Sequence, residues 1–281
     1  MHILNLIRIK DWLKNIILIL PLIFSGYLFE KSLYFNLLFG FFTFSIASST
    51  IYILNDIMDL DKDKIHNTKK FTKPIASNKI SLKFAYCLLF LFFLFLFFLV
   101  YFHPPLIQFS IVSYLIISLI YNFGIKRIPY IEIFLLSLGY VIRIDTGSSL
   151  INVDTSILML ISIFCLATFF IVLKRIGELN QKSIETNLSS RIVLKYYNVK
   201  ILKPISFVAI FLLVTMLLIY ILTININLII SVILIIYFLY KYYKTCINSS
   251  YGENPINLIL KNKQLLFLSV IILLSSLIIY F

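Results

Sequence analysis

Asp56, Asp59 and Asp63 stand three and then four residues apart, with Asn55 beside the first. On a continuous helix this spacing puts all three carboxylates on one face across two turns, while Asp61 points elsewhere. Like charges this close repel, and a divalent cation would remove the conflict. Mg²⁺ suits the donors, because it takes a few carboxylates and completes its shell with water and substrate phosphate oxygens. Lys64, Lys69, Lys70 and Lys73 follow at once, with His66 among them. Carboxylates for a metal and ammonium groups for phosphate are what a metal–diphosphate requires. The same stretch also reads as a solvated loop with scattered ion pairs. Against that, four of the chain's twelve acids fall between Asp56 and Asp63.

Other polar stretches add to this one. In "LKRIGEL", Leu173 to Leu179, Lys174 and Arg175 lie four and three residues before Glu178, close enough to pair on a helix. Two cations and one carboxylate at a helix end would bind phosphate and help to orient a metal; snorkelling basic anchors are the plainer alternative. "YNFGIKRIPYIE" brings Tyr121, Lys126 and Arg127 to one end of a span. Arg143 and Asp145 fall inside an apolar run, where ionisable groups are costly and face a cavity or lie near an interface. Two residues apart, they do not face each other. In "RIKDWLKN", Trp12 reads as an interfacial anchor, and Lys10 and Lys14 can reach a lipid phosphate. His2 and His103 carry no metal signature, nor do Cys87, Cys165 and Cys246, which read as small core residues.

These groups are held by a very apolar chain. Its 281 residues are 61% hydrophobic and 13% charged, against roughly 25% charged in a soluble domain. That excludes an ordinary soluble fold and predicts an all-α polytopic membrane protein. With no linker between the apolar runs, residues 1–281 read as one domain. A cleavable signal peptide is not expected, since no small-residue cleavage site follows the first run. Spans are predicted near 16–29, 33–54, 84–102, 105–123, 129–149, 156–173, 205–223, 225–243 and 264–281, about nine in all.

Of the 25 lysines and arginines, all but Lys31 and Arg143 lie before Asn15 or in the stretches 55–83, 124–128, 174–204 and 241–263. Every second connection is therefore basic. The positive-inside rule puts the N-terminus and those loops in the cytoplasm and, with nine spans, the C-terminus outside. The net charge of +13 then marks cytoplasmic loops and anionic headgroups, not nucleic acid.

"NDIMDLDKD", Asn55 to Asp63, resembles the NDxxDxxxD motif of the UbiA prenyltransferase superfamily. Within it the chain is most similar to decaprenyl-phosphate phosphoribosyltransferases. Their HPxKRxRPIASG appears as "HNTKKFTKPIASN", their KRxxEL as "KRIGEL", their RPxxWxKN start as "RIKDWLKN" and their LKDKxLL ending as "LKNKQLL". Asn67 stands where that pattern has proline, Lys73 where it has arginine and Asn262 where it has aspartate. Lysine for arginine gives up a bidentate grip on phosphate. Arg175 stands where conventional prenyltransferases have an aspartate.

The resemblance implies helices around a central cavity, capped by cytoplasmic polar loops, in a bacterial-type inner (plasma) membrane. It implies Mg²⁺-dependent transfer of a 5-phosphoribosyl group from phosphoribosyl diphosphate to a polyprenyl phosphate, in cell-envelope biosynthesis. Asp56, Asp59 and Asp63 would be the catalytic metal ligands. Asn55, Lys10, Lys14, His66, Lys69, Lys70, Lys73, Tyr121, Lys126, Arg143, Lys174, Arg175 and Glu178 would meet the substrates. The alternative is prenyl transfer from a prenyl diphosphate to a small or aromatic acceptor. An ion-coupled carrier is the reading from another class, but carrier acids sit near the bilayer midplane and these lie at a span end. A homo-oligomer is compatible with the sequence.

Overall fold

The structure is a computed structural model, described here for residues 2–66, 69–182, 192–223, 226–248 and 255–280. It is built of helices, with no strand among the described residues. Eight long helices follow one another: α1 (Tyr34–Met58), α2 (Leu82–Tyr101), α3 (Pro105–Phe123), α4 (Ile131–Leu150), α5 (Ile157–Lys182), α6 (Val199–Thr223), α7 (Ile229–Asn248) and α8 (Lys263–Tyr280). Among the described residues, seven helices, corresponding to α1 through α7, are long and apolar enough to cross a bilayer; the apolar stretch Lys263–Ile278 of α8 is shorter.

These seven match the second to eighth of the nine expected spans; the first and ninth do not reach that length among the described residues. The first expected span is not one α-helix. Residues Ile9–Ile19 form a 3₁₀-helix that passes into a short α-helix, Leu20–Phe24. Pro21 sits in the first turn of the short helix, where its missing N–H costs nothing. The chain then turns through Gly26 at φ 79°, a conformation glycine adopts without steric cost.

Residues 1–126 and 142–154 make up most of one compact unit; residues 127–141, 155–186 and 191–281 form a second. In the first unit α1 is the central element, buried continuously from Thr43 to Ile51. Small hydroxyl residues let neighbours approach it. Trp12, Asn15 and Leu18, spaced by three as a 3₁₀-helix eclipses its side chains, form one face of Ile9–Ile19. Trp12 Nε1 donates to Ser49 Oγ at 2.9 Å, and Asn15 Nδ2 to Ser45 Oγ at 3.0 Å. Leu18 is fully buried. Its carbonyl oxygen fills the space that a Cβ on Gly147 would need. By contrast α2 leaves Phe90, Phe93, Phe97 and Phe98 exposed, as a lipid-facing surface requires.

In the second unit α5 and α6 pack along their lengths around Phe169, Val172, Leu173, Ile176 and Leu202, with Tyr242 of α7 against them. Asn262 caps α8: its Oδ1 accepts from the backbone N–H groups of Gln264 and Leu265. Asparagine caps as well as the aspartate of the resembled motif.

Candidate active site

The carboxylate cluster lies wholly in the first unit. Helix α1 ends at Met58, Asp59 has φ −94° and ψ 7°, and a short helix resumes over Leu60–Ile65. Two backbone hydrogen bonds bridge the break, from Asp59 N to Asn55 O and from Asp63 N to Asp59 O. The helical spacing is therefore kept while the helix bends at Asp59.

The bend divides the three carboxylates. Asp56 and Asp63, each 3% exposed, converge on one ammonium. Lys73 Nζ lies 2.9 Å from Asp56 Oδ1 and 2.5 Å from Asp63 Oδ2. Arg8 adds a second cation, 2.6 Å from Asp56 Oδ1, with its guanidinium over the Tyr52 ring. Asp59 turns the other way, to Lys126 Nζ at 2.7 Å, and the same ammonium reaches Asn55 Oδ1 at 3.1 Å. Burial alone would raise the Asp59 pKa. The hydrogen bond and charge of Lys126, with Lys62 and Lys73 behind it, more than offset this and hold the carboxyl below its usual range. Asp61 is exposed and off this face.

Lys73 is positioned by the turn that follows it. Ser77 N donates to Lys73 O, and Lys79 N and Ile80 N to Pro74 O, with Asn78 at φ 57°. Ile75 and Ile80 are buried in a core with Leu6, Ile53 and Ala85, so "KPIASNKI" is a folded strap beside the end of α1. Arg8 is positioned differently. Its backbone is left-handed, φ 52° and ψ 51°, at a cost of about 1–3 kcal/mol for a residue with a Cβ.

The second cluster lies wholly in the second unit. Arg175, 1% exposed, is clamped by Glu132, which is fully buried. Nε and Nη2 donate to the two Glu132 oxygens at 2.6 and 2.8 Å, and Nη1 donates to Glu178 Oε2 at 2.7 Å. Tyr197 donates its hydroxyl hydrogen to Glu132 Oε1 and accepts from Tyr130 N. Burial and then the Glu132 charge push the Tyr197 phenol above its usual range. Tyr130, like Arg8, is held left-handed, at φ 64°.

The sequence profile of the UbiA prenyltransferase family matches residues 18–271. The chain belongs to that family. An uncharacterised protein, y4nM, of Sinorhizobium fredii is 32% identical over 151 residues, covering 52% of this chain and 28% of that protein. The decaprenyl-phosphate phosphoribosyltransferase of Mycobacterium tuberculosis is 29% identical over 183 residues, covering 63% of this chain and 60% of that one. The match thus spans less than two thirds of either relative. A UbiA homolog from Archaeoglobus fulgidus, solved bound to DMAPP and Mg²⁺, shares the fold with a TM-score of 0.71 at 18% identity, over 100% of this chain and 99% of that one.

In this UbiA-family chain the residues singled out by sequence fall into groups. Asn55, Asp56, Asp59, Asp63, Lys73 and Lys126 are brought together. Lys14 instead pairs with Asp11 at 2.7 Å, and Lys10 is exposed. His66 accepts at its backbone oxygen from Lys70 N, and the Lys70 ammonium lies over Phe71. Asn67 and the Lys69 side chain lie outside the described residues. Tyr121 and Lys174 are half-buried. Arg143 is buried within the first unit, donating to Asn15 Oδ1 at 2.8 Å and Tyr114 Oη at 3.0 Å.

Three residues escaped the sequence reading: Arg8, Glu132 and Tyr197. Arg8 opens "RIKDWLKN" and was counted there only as a basic residue. Glu132 changes the charge of its cluster. Lys174, Arg175 and Glu178 alone are net cationic; Glu132 cancels that excess. Its signal was present, as one of few acids beside an apolar run.

Among the described residues no group of three His, Cys, Asp or Glu side chains gathers tightly enough to cage a metal. Asp56 and Asp63 nevertheless aim oxygen donors at a single positive centre, now the Lys73 ammonium. Two carboxylate donors, with the rest of the shell completed by phosphate oxygens and water, are a donor set that fits Mg²⁺.

Proposed function

We propose that this UbiA-family chain transfers a 5-phosphoribosyl group from phosphoribosyl diphosphate to a membrane polyprenyl phosphate and releases diphosphate, with Mg²⁺ as cofactor. The observation that carries the reading is the junction at Asp59. There Asp56, Asp59 and Asp63 meet Arg8, Lys73 and Lys126, so one stretch offers donors to a metal and cations to a diphosphate. The choice of donor is supported by "HNTKKFTKPIASN" and "KRIGEL" and by the likeness to decaprenyl-phosphate phosphoribosyltransferase.

Asp56 and Asp63 would hold Mg²⁺, with Asp59 at the turn beside them. When bound, the metal neutralises charge that builds on the leaving diphosphate. Lys73, Lys126 and Arg8 supply further positive charge. The bond from ribose C1 to the diphosphate oxygen breaks, and its electron pair leaves with diphosphate. A phosphate oxygen of the lipid attacks C1. A phosphomonoester has its second pKa near 6, so the nucleophile is already ionised near neutral pH and no general base is needed. Positioning supplies much of the remaining acceleration.

The test supplies purified protein with Mg²⁺, radiolabelled phosphoribosyl diphosphate and polyprenyl phosphate, and in a parallel arm with a prenyl diphosphate and an aromatic acceptor, then extracts lipid. Label is expected in the lipid phase. Label that stays in water while a prenyl diphosphate is consumed would replace this reading with prenyl transfer, the reaction for which the family is named.

A further inference from the structure

We propose that Lys73 is an exchangeable counter-ion: it neutralises Asp56 and Asp63 until a divalent cation and a diphosphate arrive together, and then passes from the carboxylates to the diphosphate. This rests on the reading that a metal–diphosphate binds at these carboxylates. It adds how binding of the two is coupled, and it holds for any diphosphate donor.

Charge balance is the first argument. Lys73 bridges Asp56 and Asp63, Arg8 also pairs with Asp56, and Asp59 is held by Lys126 with Lys62 at 3.8 Å. Asp56 and Asp63 are almost wholly buried, and a buried carboxylate stripped of its partner is strongly destabilised. A metal ion arriving alone must displace Lys73 and leave its ammonium without a counter-charge. A diphosphate arriving alone must draw Lys73 away from the two buried carboxylates that it bridges. Arriving together, the metal takes over the carboxylates and the diphosphate takes over the ammonium. Each ligand removes the cost that the other incurs, so their affinities rise reciprocally.

Construction is the second argument. The Lys73 backbone is fixed by the Pro74–Ile80 turn and by buried Ile75 and Ile80. Its head is a compact ammonium on a flexible four-carbon stem, and its side chain keeps 18% exposure, unlike the two carboxylates it bridges. An anchored base with a movable head can change partners without unfolding the strap. Arginine, which the resembled motif carries here, would hold its partners through a planar fork and exchange less readily.

The test titrates Mn²⁺ onto the purified chain in nanodiscs, read by electron paramagnetic resonance, with and without inorganic pyrophosphate. For the native chain pyrophosphate is expected to tighten Mn²⁺ binding at least tenfold. In Lys73→Met, Mn²⁺ alone should bind at least fivefold more tightly than to the native chain, and the pyrophosphate enhancement should fall below threefold. Lys73→Arg should keep Mn²⁺ alone as weak as in the native chain. Thermal melting covers loss of fold: without metal Lys73→Met should melt lower than native, and Mn²⁺ should recover more for it than for the native chain. Equal Mn²⁺ affinities and equal enhancements in native and Lys73→Met would overturn the exchange while leaving the metal site standing. Absence of Mn²⁺ binding in every arm would overturn the metal reading and the exchange with it.

Discussion

Glu132 and Arg175, forty-three residues apart, lie side by side with two parallel hydrogen bonds of 2.6 and 2.8 Å. Neither side chain reaches solvent. Removing one member of such a pair costs about 3–5 kcal/mol. Arg175→Met should lower the melting temperature sharply in detergent, and adding Glu132→Gln should recover part of it. A single variant that melts like the native chain would show the pair contributes nothing.

The proposed metal site and the aspartate beside it give the second prediction. Asp56→Asn and Asp59→Asn should each abolish turnover with the helical circular-dichroism signal retained, and a chelator should do the same to the native enzyme. Asp61→Asn should change turnover little, because Asp61 is exposed and turned away. Full turnover in excess chelator would sink the metal role.

A pH dependence follows from Asp59. Its pKa is depressed in the fold, so ionised Asp59 stabilises the protein fully above its unfolded value near 3.9. That contribution disappears as pH falls through the lower folded value. Lys126→Met removes the main cause. The gap between native and Lys126→Met melting temperatures should therefore be wide at pH 7 and narrow towards pH 3. A gap independent of pH would show that Asp59 and Lys126 are not coupled.

Two glycines separate backbone from side-chain crowding. A Cβ at Gly147 meets the backbone of Leu18, whereas one at Gly40 meets the methyl ends of Leu150. Gly147→Ala should cost about 1–3 kcal/mol by overpacking and Gly40→Ala less, since a leucine can change rotamer. Melting temperatures of the two variants in one detergent decide it.

Topology is checked by fusion. A reporter at Ser77 or Ser190 should read cytoplasmic, and one at the C-terminus external, as the alternation of basic connections requires. A cytoplasmic C-terminus would mean that the number of crossings is even.

Much of the fold was legible because the membrane filters composition. Runs such as "LLFLFFLFLFFLV" have no soluble alternative, and α2 lies where hydropathy placed it. Helical spacing brought Asp56 and Asp63 to one ammonium and sent Asp61 away, while Asp59 turned to Lys126. The break at Asp59 was not legible, since nothing in "NDIMDLD" requires one; it separates the pair held by Lys73 from the carboxylate held by Lys126. The roles of Arg8 and Glu132 were hidden for a related reason. Each meets its partner across more than forty residues, beyond the reach of local spacing.

The 3₁₀ segment has a consequence for length. An α-helix rises about 1.5 Å per residue, but a 3₁₀-helix rises about 2.0 Å. Ile9–Ile19 and Leu20–Phe24 contain eleven and five residues, and together they extend about 30 Å, the thickness of a hydrocarbon core. An α-helix of the same reach needs about 20 residues. Winding the chain more tightly has stretched it, so these sixteen residues, interrupted by proline, reach as far as about 20 residues of α-helix. A yardstick graduated in residues undercounts such a segment; one graduated in ångströms does not.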